Sequence, residues 1–295
     1  MRRYSWAGLR SFLIDTTIPR WRALDPEILA AGLSYFALFS LAPLLFVVLT
    51  VGTQVMSLPT ARQVILDRAS LWMTDEASDT LDSWMSQPTP HHSKSATFLG
   101  LIVAAWAGSQ VLGYMKRILN RIWETRSRKS APFWKDYLLS TLFNFFMLGI
   151  LGFFLTFSLI LDAMGGALWK FFRDILPSHI IHAASWLQGI NFAVSLFCFC
   201  LLFGMIYRFI PDASMAWEDV WAGALVTSIL LAIGKVVLSL YLTFATFASG
   251  YGAAGSILIV LFSIYIGAQI FIFGGVFTRT YAEYYGSRKH LRKKI

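Results

Sequence analysis

Ser256–Thr278 reads SILIVLFSIYIGAQIFIFGGVFT, 23 residues without one Asp, Glu, Lys or Arg. An α-helix rises ~1.5 Å per residue, so this stretch makes a rod of about 35 Å. That covers the roughly 30 Å of hydrocarbon in a bilayer, whereas a buried helix of a soluble domain rarely needs so long an apolar run. Working outward from it, five further runs qualify: Leu29–Met56, Ala96–Met115, Tyr137–Met164, Ala184–Tyr207 and Val220–Thr243. The expected fold class is all-α, a polytopic membrane helix bundle of about six transmembrane helices. Residues 1–295 read as one membrane domain, with no soluble domain and no repeat of fixed period. Pro43 falls inside the first run and is expected to kink it, since it removes a backbone donor.

Composition agrees. Charged residues make up 14% of the chain and hydrophobic ones 57%, against about 25% charged in a soluble domain. With so little polar surface the chain needs lipid as its outer solvent. The first 28 residues are basic and amphipathic and lack a short apolar h-region, so the first span is expected to act as the insertion signal. Cys198 and Cys200 lie two apart in an apolar run and read as buried thiols, because a zinc site needs four ligands. The pairs His91/His92 and His179/His182 lack carboxylate or thiol company, so neither a metal nor another cofactor is expected.

The net charge of +9 is explained by where the charge falls. With the N-terminus inside, nineteen of the 25 Lys and Arg lie on inner segments, five on outer ones, and Lys235 within a span. The positive-inside rule then places both termini in the cytoplasm. The basic groups are expected against anionic lipid headgroups, so the high charge calls for no nucleic-acid partner. In the outer loop over residues 57–95, Ile65, Ala69, Trp72 and Met73 recur at helical spacing, as do Ala77, Leu81, Trp84 and Met85. Asp67, Asp75, Glu76, Asp79 and Asp82 supply a polar face, so one or two amphipathic helices are expected there.

Several ordered segments carry a resemblance. They are Ala30-Ala31-Gly32-Leu33-Ser34-Tyr35-Phe36 followed by Leu38-Phe39-Ser40-Leu41-Ala42-Pro43-Leu44, and Leu119-Asn120-Arg121-Ile122-Trp123. Then come Arg208-Phe209-Ile210-Pro211-Asp212 with Trp217 to Leu225, and Gly234-Lys235 with Leu240-Tyr241. Tyr251-Gly252-Ala253-Ala254-Gly255-Ser256 and Gly274-Gly275-Val276-Phe277-Thr278 complete them. In order and spacing the chain resembles the YihY/BrkB family of bacterial inner-membrane proteins. The resemblance implies six spans and an inner (cytoplasmic) membrane location. Some members look like exporters or lipid translocators, BrkB-like members carry a virulence label, and an old ribonuclease BN label gets no support from these residues. The family often has an acidic residue where this chain has Val276, so a charge pair at that position is absent here.

Lys235 is the sharpest functional signal, because an ionisable side chain within a span is costly unless hydrated or paired. It shares a small, polar stripe with Ala224, Ser228, Ala232 and Ser239, while Leu225, Ile229, Ile233, Val236 and Leu240 form the opposite face. The stripe points Lys235 toward the bundle interior or a cavity; the bland alternative is snorkelling toward the outer interface past Tyr241. Asn144 and Asp162 share one face of the third span, and Asp162 either pairs with Lys235 or ends its span at the surface. Lys235, Ser228, Ser239, Asp162 and Asn144 are thus the candidate translocation path. Asn120, Arg121, Arg126, Arg128 and Lys129 are the candidate inner rim for lipid headgroups, with Asn120 also read as a helix cap. Ala105, Ser109 and Gly113 form a small-residue ladder that indicates close helix packing, and Gln110 and Gln269 read as hydrogen-bonding glue between helices. Gly250, Gly252 and Gly255 read as a tight outer turn, or else as a break in a cavity-lining helix.

No Walker loop, G-x-S-x-G or H-E-x-x-H is present, which argues against an ATP-driven pump and common hydrolases, and no enzyme is expected. The leading reading is a passive or ion-coupled transporter, an exporter of a small solute. Its rivals are a translocator of lipid or lipid precursor, and a non-transport envelope scaffold. Small-residue faces serve packing within one bundle or between two, so a homo-oligomer stays open.

Overall fold

The structure is a computed structural model, and it describes residues 10–55, 59–60, 62–63, 65–67, 75–86, 94–125, 184–213, 215–244 and 253–289. Seven helical elements are followed here. Helix α1 is a π-helical turn, Ser11–Thr17, continued by α-helix Ile18–Arg22. The others are α2 (Pro26–Val55), α3 (Asp75–Met85), α4 (Lys94–Ile122), α5 (Ala184–Phe209), α6 (Trp217–Phe244) and α7 (Ala253–Tyr284). The expected span Tyr137–Met164, with Asn144 and Asp162, lies outside the described residues, as do Arg126, Arg128, Lys129 and the four paired histidines.

Among the described residues there is no strand. Two helices there, Trp217–Tyr241 and Ile257–Tyr284, are long and apolar enough to cross a membrane. A third qualifies if the bent pair Phe12–Arg22 and Pro26–Leu41 is one span, and Leu196–Phe209 is a shorter apolar helix.

The helices outrun the apolar windows that predicted them. Helix α4 continues past Met115 to Ile122, because Ile118, Leu119 and Ile122 remain buried on one face. Helix α7 continues past Thr278 to Tyr284, with Thr280 and Ala282 buried. Hydropathy marks where polar residues begin, whereas a helix ends where its packing face ends. Helix α2 runs unbroken through Pro43. A 62° bend near the N-terminus falls between α1 and α2. There Asp25 takes a left-handed φ of 53° and its carbonyl accepts from the backbone N–H of Ile28 and Leu29. Pro26 opens α2, where its missing N–H costs nothing.

The packing is organised by α7, which touches α1, α2, α3, α4 and α6. Its approach to α6 is close and reciprocal. Gly223 of α6 lies under Thr278 of α7, and Gly274 of α7 lies under Thr227 of α6. Both threonines are fully buried and turn their hydroxyls back onto their own helix, Thr227 to Gly223 O at 2.7 Å and Thr278 to Gly274 O at 2.7 Å. Small residues let the two backbones approach, which is how helices gain packing where lipid offers no hydrophobic drive. Tyr207 of α5 completes the junction, donating to Phe271 O at 2.8 Å with its oxygen 3.0 Å from Thr227 Oγ1. Gly275 meets Ile122 and Leu119 of α4, and Gly32 of α2 meets the Tyr114 ring of α4.

Helix α3 is amphipathic as read. Leu81 is buried and Trp84 joins a cluster with Leu238, Ile259 and Val260, while Asp75 and Asp79 stay exposed. Asp82 is gripped by Arg62 through two contacts of 2.6 Å.

A methyl at Gly274 would strike Thr227 Oγ1, which is held by its hydrogen bond to Gly223 O, whereas a methyl at Gly267 meets nothing within 4 Å. Gly274→Ala should therefore destabilise the protein by about 2 kcal/mol, and Gly267→Ala should be neutral or stabilising. Thermal melts of the two purified variants check the contrast.

Candidate functional site

Helix α6 separates two faces. Leu225, Ile229, Ile233, Val236 and Leu240 are each 41–59% exposed. A row of five large apolar side chains left open is a surface for lipid tails. On the other side Ala224 and Ser228 are buried, and Lys235 and Ser239 are half-buried. Of the stripe Ala224, Ser228, Ala232, Lys235 and Ser239, only the first two are buried.

Lys235 lies about 27 Å along α6 from Trp217, at ~1.5 Å per residue. Its neighbour Gly234 is pressed against Ile270 and Ile266 of α7, which fixes the depth of the lysine on the bundle. The stripe is closed at Ser228, whose hydroxyl donates to Ala224 O at 2.8 Å and whose side chain meets no open space. The other two path candidates, Asp162 and Asn144, lie outside the described residues.

A second polar assembly gathers at one end of the bundle. Arg279 Nε binds Glu283 Oε1 at 2.9 Å, and its Nη1 binds Glu124 Oε1 at 2.9 Å and also donates to the carbonyl of Ile122. Glu283 is shared with Arg20 of α1 at 2.6 Å, and Thr16 and Tyr284 hydroxyls meet at 2.9 Å. Phe12 packs against Phe277, Tyr284 and Tyr285. Helix α1 is thus strapped along the end of α7, and α4 is tied to the same arginine. Nearby, the Asp219 carboxylate in the first turn of α6 is buried and accepts from the Ser287 hydroxyl at 2.6 Å, with Gly286 packed against it.

Asn120 does not cap α4 with its side chain. Its amide clasps the loop after α5, donating to Asp212 Oδ2 at 2.7 Å and accepting from Asp212 N–H at 2.9 Å. Lys116 Nζ adds 2.8 Å to the same carboxylate. Arg121 is exposed and 3.7 Å from Asp25, so of the two described rim candidates it alone is open to a headgroup. The glue expected of Gln269 takes another form: its amide donates to Tyr265 on its own helix at 2.9 Å.

These ties place α1, the start of α2, the ends of α4, α5 and α7 and the start of α6 at one end. Sequence reading missed the Arg279 network and the Asp219–Ser287 tie. Local signals exist, since Arg279 and Glu283 are spaced i,i+4 and Asp219 sits in a helix's first turn. The partners Arg20, Glu124 and Ser287 are remote in sequence and leave no local trace. Among the described residues no group of three or more His, Cys, Asp or Glu is placed to hold a metal ion.

The Arg279 hydrogen bond holds the Glu124 carboxyl below its ordinary value of 4.5. A depressed carboxylate contributes stability above that value and loses it as pH falls through the folded-state value. Acidification below pH 4.5 should lower the melting midpoint, and Glu124→Gln should show a smaller drop. Glu124 is 74% exposed, so at pH 7 that variant should cost less than about 1 kcal/mol.

The family described as Virulence factor BrkB matches residues 19–294. The chain is 24% identical over 247 residues to the ribonuclease-like protein YfkH of Bacillus subtilis, covering 83% of this chain and 86% of that one. It is 23% identical over 291 residues to a UPF0761 membrane protein of Alteromonas mediterranea, covering 96% and 92%. A UPF0761 membrane protein of Tolumonas auensis is 24% identical over 297 residues, again covering 96% and 92%. No solved structure matches.

Proposed function

This chain belongs to the Virulence factor BrkB family, and from that premise we propose that it is a passive or ion-coupled transporter of a small solute, working as an exporter. The reading takes it to cross a bacterial inner membrane six times with both ends cytoplasmic. Supporting that topology, the inner-assigned Arg20, Asp25, Lys116, Asn120, Arg121, Asp212 and Arg279 meet at one end of the bundle.

The observation that carries the transport reading is the position of Lys235. It is half-buried on α6, on the side that carries the buried Ala224 and Ser228 and away from a row of exposed apolar side chains. An ammonium there donates hydrogen bonds and attracts negative charge, so it suits a solute with an anionic or strongly accepting group. Ser239 lies one turn further out, and Asp162 and Asn144 are proposed as the polar partners across the path. Ser228, closed in this conformation, marks the level at which α6 would have to part from its neighbours to let the solute through. No catalytic residue is assigned; the ribonuclease-like name belongs to the Bacillus relative.

A second reading, translocation of an anionic lipid or lipid precursor, draws on Arg10, Arg22 and Arg121, exposed just before α1, at its end and at the end of α4. With Arg126, Arg128 and Lys129 they would make a basic inner rim for headgroups. Neutralising those last three together should slow lipid movement in reconstituted vesicles and leave solute flux intact.

Transport is tested by finding the solute and then removing the lysine. A panel of ions, osmolytes and metabolites is screened for a rise in melting temperature, which reports binding to the folded state. Flux of the stabilising solute is then measured in proteoliposomes. Lys235→Met should keep its fold and lose the flux at least ~10-fold, as expected for one charge-assisted contact of about 1.5 kcal/mol. Equal flux and equal stabilisation in a folded Lys235→Met protein would overturn the proposal.

A further inference from the structure

Among the described residues three buried side-chain polar atoms make no hydrogen bond: Ser78 Oγ on α3, and two of opposite sense on α1 and α7. The indole Nε1–H of Trp21 is a donor without an acceptor, and Gln269 Oε1 is an acceptor without a donor. Native proteins satisfy nearly all such groups, so an orphan asks for a partner that is not part of the chain. The demand is stronger in a membrane, where lipid tails supply no hydrogen bonds.

The two orphans are linked through Phe273 of α7. Trp21 lies in the last turn of α1 and packs edge-to-face on Phe273 of α7, with ring centroids 6.1 Å apart. Gln269 sits one turn before Phe273, and i,i+4 residues on a helix are about 5–6 Å apart at their Cβ atoms. The other end of the Gln269 amide is already spent on Tyr265, and the phenol accepts that bond with its oxygen, keeping its own proton to give. Trp21, Leu24, Leu29 and Tyr265 all pack against the same apolar cluster.

We propose that the junction of the α1–α2 elbow with α7 is a binding site for a neutral amide-bearing solute. The solute carbonyl accepts from the Trp21 indole, with Tyr265 as a further donor, and its N–H donates to Gln269 Oε1. No charged side chain takes part, so the site selects a neutral ligand. It stands apart from the Lys235 stripe, which is on another helix, and does not depend on the transport reading. Its place beside the 62° elbow means that a bound solute bridges α1 to α7.

The test follows the indole proton itself. Full-length protein in lipid nanodiscs is labelled with ¹⁵N-indole tryptophan, and the Trp21 resonance among the eleven is identified as the one lost in Trp21→Phe. N-methylacetamide is then titrated. A saturable downfield shift of that resonance is expected in wild type, with the midpoint raised at least ~10-fold in Gln269→Leu, the loss of one buried hydrogen bond. The remaining indole resonances report whether the variant keeps its fold; should Gln269→Leu disturb them, Tyr265→Phe, which removes only the hydroxyl, serves in its place and should raise the midpoint as well. A shift that grows linearly without saturation, or one with the same midpoint in a folded variant, would overturn the site.

Discussion

The contact on which the rest depends is the close approach of α6 to α7, where each helix sets a glycine under the other's threonine. Gly223 lies under Thr278, and Gly274 under Thr227. The hydroxyls are returned to their own backbones, so the interface buries polar residues without leaving them unsatisfied. Tyr207 then reaches both Thr227 and the Phe271 carbonyl and binds α5 into the same seam. With α6 held at this distance and rotation, its remaining faces have no freedom. Leu225, Ile229, Ile233, Val236 and Leu240 must point away from the protein, and Ser228 and Lys235 must not.

The ion pairs at one end serve a different purpose. Arg279, Glu283, Glu124 and Arg20 join elements that the apolar seam does not reach, namely α1 and the last turn of α4. Their side chains range from mostly buried to largely exposed, so their value lies in fixing where α1 runs more than in stability. Because α1 is held, the elbow at Asp25 sets Trp21 against Phe273, one turn from Gln269. The amide site proposed there therefore exists only while the strap is intact.

Much of the fold was legible because lipid imposes a one-dimensional rule. A run such as Val220–Thr243 declares a helix by length and apolarity alone, and the helix found differs by a few residues at each end. The exposed face of α6 was legible too, since large apolar residues recur on one side of a 3.6-residue period. The ends were not. Nothing in the sequence near Lys116 says that α4 continues two turns, because that depends on Ile118, Leu119 and Ile122 finding partners on other helices. Nor did Asn120 announce that its amide would hold Asp212, ninety-two residues on, in preference to capping its own helix. Gln269 misled for a related reason: with Tyr265 one turn away, a local hydrogen bond preempted the cross-helix one expected of it.

The most direct test of the account is the environment of single positions along α6. Nitroxide labels are placed on cysteines introduced at Ile229, Val236 and Lys235, in a background where Cys198 and Cys200 are serine, with the protein in lipid nanodiscs. Collision with molecular oxygen, which concentrates in lipid, is then measured for each label. The account predicts frequent collision at Ile229 and Val236 and markedly less at Lys235. Equal oxygen access at Lys235 and Val236 would place the lysine among the lipid tails, and would contradict both the packing of α6 against α7 and the path drawn from it.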